Sequence, residues 1–358
     1  MDRHSLSVCA PGQSAAPRSL STTPAAGFNL QAMLKCAEKD RDLTWLSDML
    51  QFAVQLEFAT IPPYLAAYWS VKPTSSSVVQ NMILSVALQE MLHMGLVCNI
   101  MTSLGTTPKI ADAAVVPQYP GHLPGRVHPT LWVELRPLSR ELIADTFMVI
   151  EEPENGPIRY SQGQTYPTIG AFYSAIQESL RKLPDHAFSG DRQVVLNRPD
   201  FALGAVATRD DALNAIETIK EQGEGESGSP LYGPGASDMA HYYLFGQIFY
   251  ERTLVEVAPG DWQYTGDEIT FPTADEIYPM APVPAGGYPE GDRFDREYTR
   301  MLAQLQDAWE QGGAAGGAAL TQAQRTMGEL GRLAVELMET PVQTGSPFTM
   351  GPGFRLIS

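Results

Sequence analysis

Apolar residues recur at three- and four-residue spacing along most of this chain, which predicts helices separated by loops rich in proline and glycine. From Leu43 to about Val71 the stripe holds Leu46, Met49, Leu50, Ala53, Val54, Ile61 and Tyr64, and Glu57 falls in its middle. Pro62 and Pro63 have no amide hydrogen, so they free the carbonyls of Phe58 and Ala59 and predict a kink or stop just past the carboxylate. A second helix, about Ser77 to Leu104, carries Ile83, Val86, Ala87, Met94, Val97 and Met101 on one side and ends at Gly105. A third begins at Ser139, is apolar through Leu142, Ile143, Phe147, Met148 and Ile150, and stops at Pro153 with Glu151 on the apolar side of its last turn. A fourth follows Pro167 through Ile169, Phe172, Tyr173, Ile176 and Leu180, with Glu178 opposite that stripe. Helices at about Asp210 to Gln222 and Asp238 to Val257 come next, the latter with His241, Leu244, Phe245, Ile248 and Phe249 on one face. Two more, about Phe294 to Trp309 and Leu320 to Met338, finish the chain.

The connections divide the chain. Residues 1–40 read as a disordered leader: the first 27 are rich in Ser, Pro and Ala and lack the continuous apolar segment of a secretory signal. Residues 41–257 read as a metal-binding bundle, and 258–358 as a C-terminal loop and helical extension packed on it. Within these, 106–137 is loop by composition, and a loop that long in a compact domain is more often functional or tightly packed than idle. Residues 258–292 show only short extended candidates, around Tyr264 and at Ile269 to Phe271, and Gly312 to Ala319 reads as a flexible link.

Composition narrows the class. With 44% hydrophobic residues among 358, the chain can bury a large core. A net charge of −17 leaves no basic stripe for a phosphate backbone, so nucleic acid is excluded as a partner. No run approaches the roughly 20 apolar residues of a membrane span. Cys9, Cys36 and Cys98 are odd in number and far apart, which fits neither a disulfide framework nor a zinc cluster and points to a reducing cytoplasm.

The chemistry starts at Glu90-Met91-Leu92-His93. Three helical positions are about 300° of rotation, so Glu90 and His93 leave the same face and can grip one ion. That face is apolar, and a buried carboxylate without a partner is costly enough to take up a proton or a cation. Bundles that hold two metal ions supply four carboxylates and two histidines from several helices. The candidates here are Glu57, Glu90, His93, Glu151, Glu224 and His241, with Glu224 preferred to Glu221 because it continues the apolar stripe of its helix. A second Glu/His pair at Glu224 and His241 would be seventeen residues apart, not three. Each has a competing role: a satisfied hydrogen bond for Glu90 with His93, a brace at the helix kink for Glu57, a cap near Pro153 for Glu151, a core histidine for His241. Tyr64 lies two turns past Glu57 on the same face, where a tyrosyl redox or gating role competes with ordinary packing.

Several segments in order carry a resemblance: Leu56 through Tyr64, Glu90 through His93, Gln222 through Gly225, His241-Tyr242-Tyr243, Tyr264-Thr265-Gly266, Phe271-Pro272 and Ile277 through Met280. With Met327, Leu330, Leu337-Met338, Pro341 and Gly351-Pro352 they resemble the ferritin-like domain of the iminophenyl-pyruvate dimer synthases, over about residues 40 to 355. Those are the tryptophan-dimer enzymes of violacein, rebeccamycin and staurosporine biosynthesis, longer chains of which this region is a part. The resemblance implies an all-α, ferritin-like four-helix bundle with extra helices and long Pro/Gly-rich loops. It also implies oxidative chemistry on an amino-acid-derived imine, and in that family an acidic residue often precedes the Phe-Tyr pair where this chain has Ala171.

The expected function is a non-haem iron oxidase or oxygenase of secondary metabolism, with one or two iron ions and O₂ or peroxide as oxidant. Its partner is a small amino-acid-derived substrate, with neither nucleic acid nor membrane, and the chain acts alone or as a homodimer. The competing reading is a ferritin-like protein that binds or stores metal without an organic substrate. A bundle that has lost its chemistry is a third, opposed by the intact Glu57, Glu90, His93 and His241.

Overall fold

The computed structural model describes residues 30–73, 75, 77–153, 169–198, 201–224, 229–233 and 238–357, with the side chain of residue 224 left out. Two long helices form its spine, α2 (Leu43–Ser70) and α3 (Val78–Ser103). Asp42 caps α2 by accepting from the Trp45 amide at 2.8 Å, and Ser77 caps α3 through Gln80. Across them pack a broken helix α4 and the short helix α7 (His241–Tyr250). α4 runs as Arg140–Leu142, a π-turn Ile143–Phe147 and a last turn Met148–Ile150. The extra residue in a π-turn re-phases everything after it, which fixes the direction in which Glu151 leaves the end of α4.

Helices α5 (Ile169–Lys182) and α6 (Arg209–Glu224) pack on each other and lean on α2, α3 and α7. Helices α8 (Asp292–Gln311) and α9 (Gly313–Met338) form a hairpin that packs against the spine, with a short helix α1 (Leu30–Leu34) near the chain's start. Three two-stranded antiparallel ribbons complete the described chain: β1 (Leu196–Arg198) with β2 (Phe201–Leu203), β3 (Leu231–Tyr232) with β4 (Asp238–Met239), and β5 (Arg252–Ala258) with β6 (Asp261–Glu268).

α2 does not stop at its prolines. It continues to Ser70, and the Ala59 carbonyl that Pro63 leaves without a donor accepts from the Tyr119 hydroxyl at 2.6 Å. Tyr119 belongs to the loop 106–137, which is irregular as expected but buries Ile110, Val115, Leu123, Val127, Val133 and Leu135. Among the described helices only α3 is long and apolar enough to cross a membrane, and 61% of its most apolar window is buried inside the protein.

Several expectations need correction. The leader was expected to run to residue 40, yet α1 buries Leu30 and Met33, and Trp45 donates to the Met33 carbonyl at 3.1 Å; residues 1–29 lie outside the described residues. The helix expected to reach Val257 ends at Tyr250, where Glu251 adopts a left-handed conformation at φ 55°. Beyond it, Thr253, Val255 and Val257 alternate β-branched residues and form β5. The link expected from Gly312 to Ala319 is helical from Gly313. Gly312, at φ 63°, and Gly313, at φ 55°, make the turn, and Gly316 lets α9 approach so closely that a Cβ there would lie 2.3 Å from the Ala308 carbonyl oxygen. Cys36 is disulfide-bonded, against the expectation that no cysteine pairs, so cysteine usage no longer supports a reducing compartment; Cys98 is a buried free thiol.

Candidate metal centre

Four elements bring acids and imidazoles to one point. α2 supplies Glu57, α3 supplies Glu90 and His93, the end of α4 supplies Glu151, and the first residue of α7 is His241. Glu57, Glu90, His93 and His241 expose 5, 4, 1 and 0% of their surface, and the Glu151 side chain 9%. They form two triads whose ligand atoms lie within 4.8 Å of one another: Glu57, Glu90 and His93, and Glu90, Glu151 and His241. Glu90 belongs to both.

Distances show how it is shared. His93 Nδ1 lies 3.2 Å from Glu57 Oε2 and 3.6 Å from Glu90 Oε1. His241 Nδ1 lies 3.0 Å from the same Glu90 oxygen and 3.4 Å from Glu151 Oε2. The two rings face each other with centroids 5.6 Å apart and planes 24° from parallel.

The other oxygen of each carboxylate is held by a hydroxyl. Tyr173 donates to Glu57 Oε1, Tyr64 donates to Glu151 Oε1 at 2.5 Å, and Thr60 lies 2.9 Å from Glu90 Oε2. Each acid thus keeps one oxygen tied back and turns the other towards an imidazole. The rings' outer nitrogens are tied too, His93 Nε2 to Gln222 Oε1 and His241 Nε2 to Gln89 Oε1, both at 2.7 Å.

Without metal, protons hold this charge. Burial and the charges of Glu151 and Glu57 push Glu90 up to about 7. Burial alone would lower His241, but the carboxylates of Glu151 and Glu90 raise it to about 10. His93 is raised in the same way by Glu57 and Glu90 against the effect of burial. Burial would raise Glu57, yet hydrogen bonds from His93 and Tyr173 bring it below the ordinary carboxylate value. Burial and the neighbouring acids raise Tyr64 and Tyr173 well above 10, so both keep their protons and donate.

The donor set fits a pair of divalent transition ions. Two imidazole nitrogens and three carboxylates are the ligands such ions take, and a shared carboxylate between two triads is the pattern of a dinuclear site in a bundle. His93 would hold one ion with Glu57, His241 the other with Glu151, and Glu90 would reach both. A cavity of about 40 Å³ opens over the cluster, lined by Leu123, Ile150, Ile169, Ile219, Tyr173 and Lys220.

Five of the six residues read from the sequence as ligands meet here: Glu57, Glu90, His93, Glu151 and His241. Glu224 ends α6 one turn from the cavity-lining Lys220, and its side chain lies outside the described residues; Glu221, the reserve, is half-buried and in neither triad. Tyr64 is fully buried against Phe147 and Phe245 with its hydroxyl on Glu151. Sequence reasoning missed Tyr173, Thr60, Gln89 and Gln222. Tyr173 stood on an apolar stripe, and Gln222 lay in one of the motifs that carried the resemblance, which was its one signal. Ala171, where the resembled family often has an acid, is exposed, whereas Tyr173 reaches the cluster.

Comparison with known proteins agrees with this architecture. The family model described as ferritin-like matches residues 50–250, more than half of the chain and all five clustered residues. Dichlorochromopyrrolate synthase of Lentzea aerocolonigenes is 26% identical over 202 residues, which is 49% of this chain but only 19% of that protein's length. The crystal structure of a ferritin-like protein from Caulobacter vibrioides superposes with a TM-score of 0.58 at 24% identity, covering 87% of this chain and 99% of that one, a likeness of fold. Buried acids and imidazoles from four bundle elements, the fold and the matched region agree: the chain belongs to the ferritin-like family.

Proposed function

We propose that this chain is a non-haem di-iron oxidoreductase of secondary metabolism that oxidises an amino acid or an amino-acid-derived imine. One observation carries the reading: two histidine–carboxylate triads share Glu90 Oε1, so two ions would sit side by side under a common ligand. A pair of irons, when bound, supplies stepwise electron transfer to O₂ or peroxide. The similarity to dichlorochromopyrrolate synthase and the resemblance to the imine-dimer synthases supply the substrate class.

The overall reaction balances as a coupling. Two aromatic 2-imino acids each lose one electron and one proton and join through a new carbon–carbon bond, while O₂ takes both electrons and protons to become hydrogen peroxide, or peroxide becomes two waters. The chain's own residues prepare for this in three ways. Tyr64 and Tyr173 hold Glu151 and Glu57 in the orientation that leaves one oxygen free for metal. The Tyr64 hydroxyl, 2.5 Å from Glu151, keeps a proton beside the centre. Leu123, Ile150, Ile169 and Ile219 form an apolar part of the cavity wall over the cluster and would limit the entry of water and stray reductants. The net charge of −17 supports a small-molecule partner over nucleic acid, and the chain acts alone or as a homodimer.

The cavity's small volume, about 40 Å³, favours one alternative, a protein that oxidises or stores iron and admits only the oxidant. Anaerobic Fe(II) loading followed by O₂ or peroxide, with and without aromatic imines generated from their amino acids, separates the two. The proposal predicts imine-dependent consumption of oxidant and a coupled product by mass spectrometry. Rapid iron oxidation that imines leave unchanged would instead establish metal handling.

A further inference from the structure

Each imidazole of the cluster turns Nδ1 inward to the acids and Nε2 outward, and both outward nitrogens meet the same chemical group. His93 Nε2 lies 2.7 Å from Gln222 Oε1 and His241 Nε2 lies 2.7 Å from Gln89 Oε1. An amide oxygen only accepts, so each Nε2 must carry a hydrogen, and Nδ1, facing the acids, is the nitrogen that can exchange its proton for an ion. The two locks come from different helices: Gln222 from the last turn of α6, Gln89 from the turn of α3 that also bears Glu90. Gln89 is held in turn, since Tyr232 on β3 donates to its Oε1 at 3.3 Å.

We infer that Gln89 and Gln222 are positioning residues, one for each of two divalent transition-metal ions, that commit Nδ1 of His241 and His93 to metal. The inference rests on the metal-centre reading and not on the reaction proposed for it. A glutamine does this without charge. A carboxylate in the same place would also accept from Nε2–H, but it would add a fourth negative charge beside Glu57, Glu90 and Glu151 and make the imidazole a stronger donor. The amides therefore fix the ligand atom while leaving the ring neutral, which favours the 2+ state of a bound ion over the 3+ state. Each lock serves one ring, so each governs one ion.

Co(II) titration followed by visible absorption and calorimetry tests this, with thermal denaturation of each metal-free variant as a check on folding. The wild type takes up two Co(II) per chain. Gln222→Leu and Gln89→Leu each weaken binding of one equivalent by about 10- to 100-fold and leave the other near its wild-type affinity. Gln222→Glu and Gln89→Glu restore both equivalents, and the iron-loaded forms have a lower midpoint potential than wild type. Wild-type affinity for both ions in both leucine variants would overturn the inference, as would glutamate variants that bind no better than leucine. A wild-type chain that binds fewer than two Co(II) would overturn it together with the dinuclear reading. Two ions bound as described, with no oxidation of any imine, would uphold it and sink only the proposed reaction.

Discussion

Glu90 is the residue on which the cluster turns, because both imidazoles face its Oε1 while Thr60 holds its Oε2. Glu90→Gln keeps its shape and removes its charge. Co(II) titration should then show both equivalents weakened by about 100-fold or more, beyond the loss of an outer partner, whereas Glu57→Gln should weaken only one. The same groups set a pH dependence in the metal-free protein. Glu90 rises from its ordinary 4.5 to about 7, so the folded chain binds its proton more tightly than the unfolded one, and that stability is lost as pH climbs through this window. His241 is raised from 6.5 to about 10, so its contribution is full below 6.5 and is lost as pH rises through about 10. The metal-free Tm should therefore fall between about pH 5 and pH 9, and divalent metal, which replaces these protons, should flatten the fall. A metal-free Tm that rises over that range would contradict the cluster's electrostatics. The five clustered residues were legible in the sequence because a charged residue inside an apolar stripe needs a reason. Gln89 and Gln222 were not, since a neutral amide sits on half-buried helix faces for many reasons. Tyr173 counted as one more aromatic in a core stripe.

At the scale of elements, periodicity placed α2, α3, α5 and α6 close to their observed bounds, because each buries a continuous stripe. It failed where local geometry overrode the stripe. α2 passes through Pro62 and Pro63 because Tyr119, from a loop 60 residues away, supplies a donor to Ala59. Nothing local to α2 reveals that partner. Tyr119→Phe leaves a buried carbonyl without a donor and should destabilise the protein by about 1–3 kcal/mol in chemical denaturation. No change would mean that another group satisfies Ala59. The α7 boundary failed for a related reason: apolar residues continue past Tyr250, but the left-handed turn at Glu251 converts the pattern into the β5–β6 ribbon.

Across the whole molecule, the chain's end braces its spine. Phe354 stacks on Trp69 of α2 with centroids 5.8 Å apart and planes 5° from parallel, and packs edge-on against Phe294 and Tyr298 of α8. Arg355 fastens this turn by pairing with the buried Asp295 at 2.7 Å and with Asp292 at 2.9 Å. Phe354 and Arg355 thus tie the last turn of the described chain to α2 and α8. Phe354→Ala should lower stability by about 3–5 kcal/mol while the folded variant still binds two ions, with denaturation and Co(II) titration as the readouts. Loss of metal at full stability would show that the tail acts on the site directly. The central claim is that two ions share Glu90, and Mössbauer spectroscopy of protein loaded with Fe(II) and then oxidised tests it most directly. The account predicts two irons per chain in one spin-coupled pair, and none in Glu90→Gln; a single, magnetically isolated ferric ion, or a pair that survives that substitution, would contradict it.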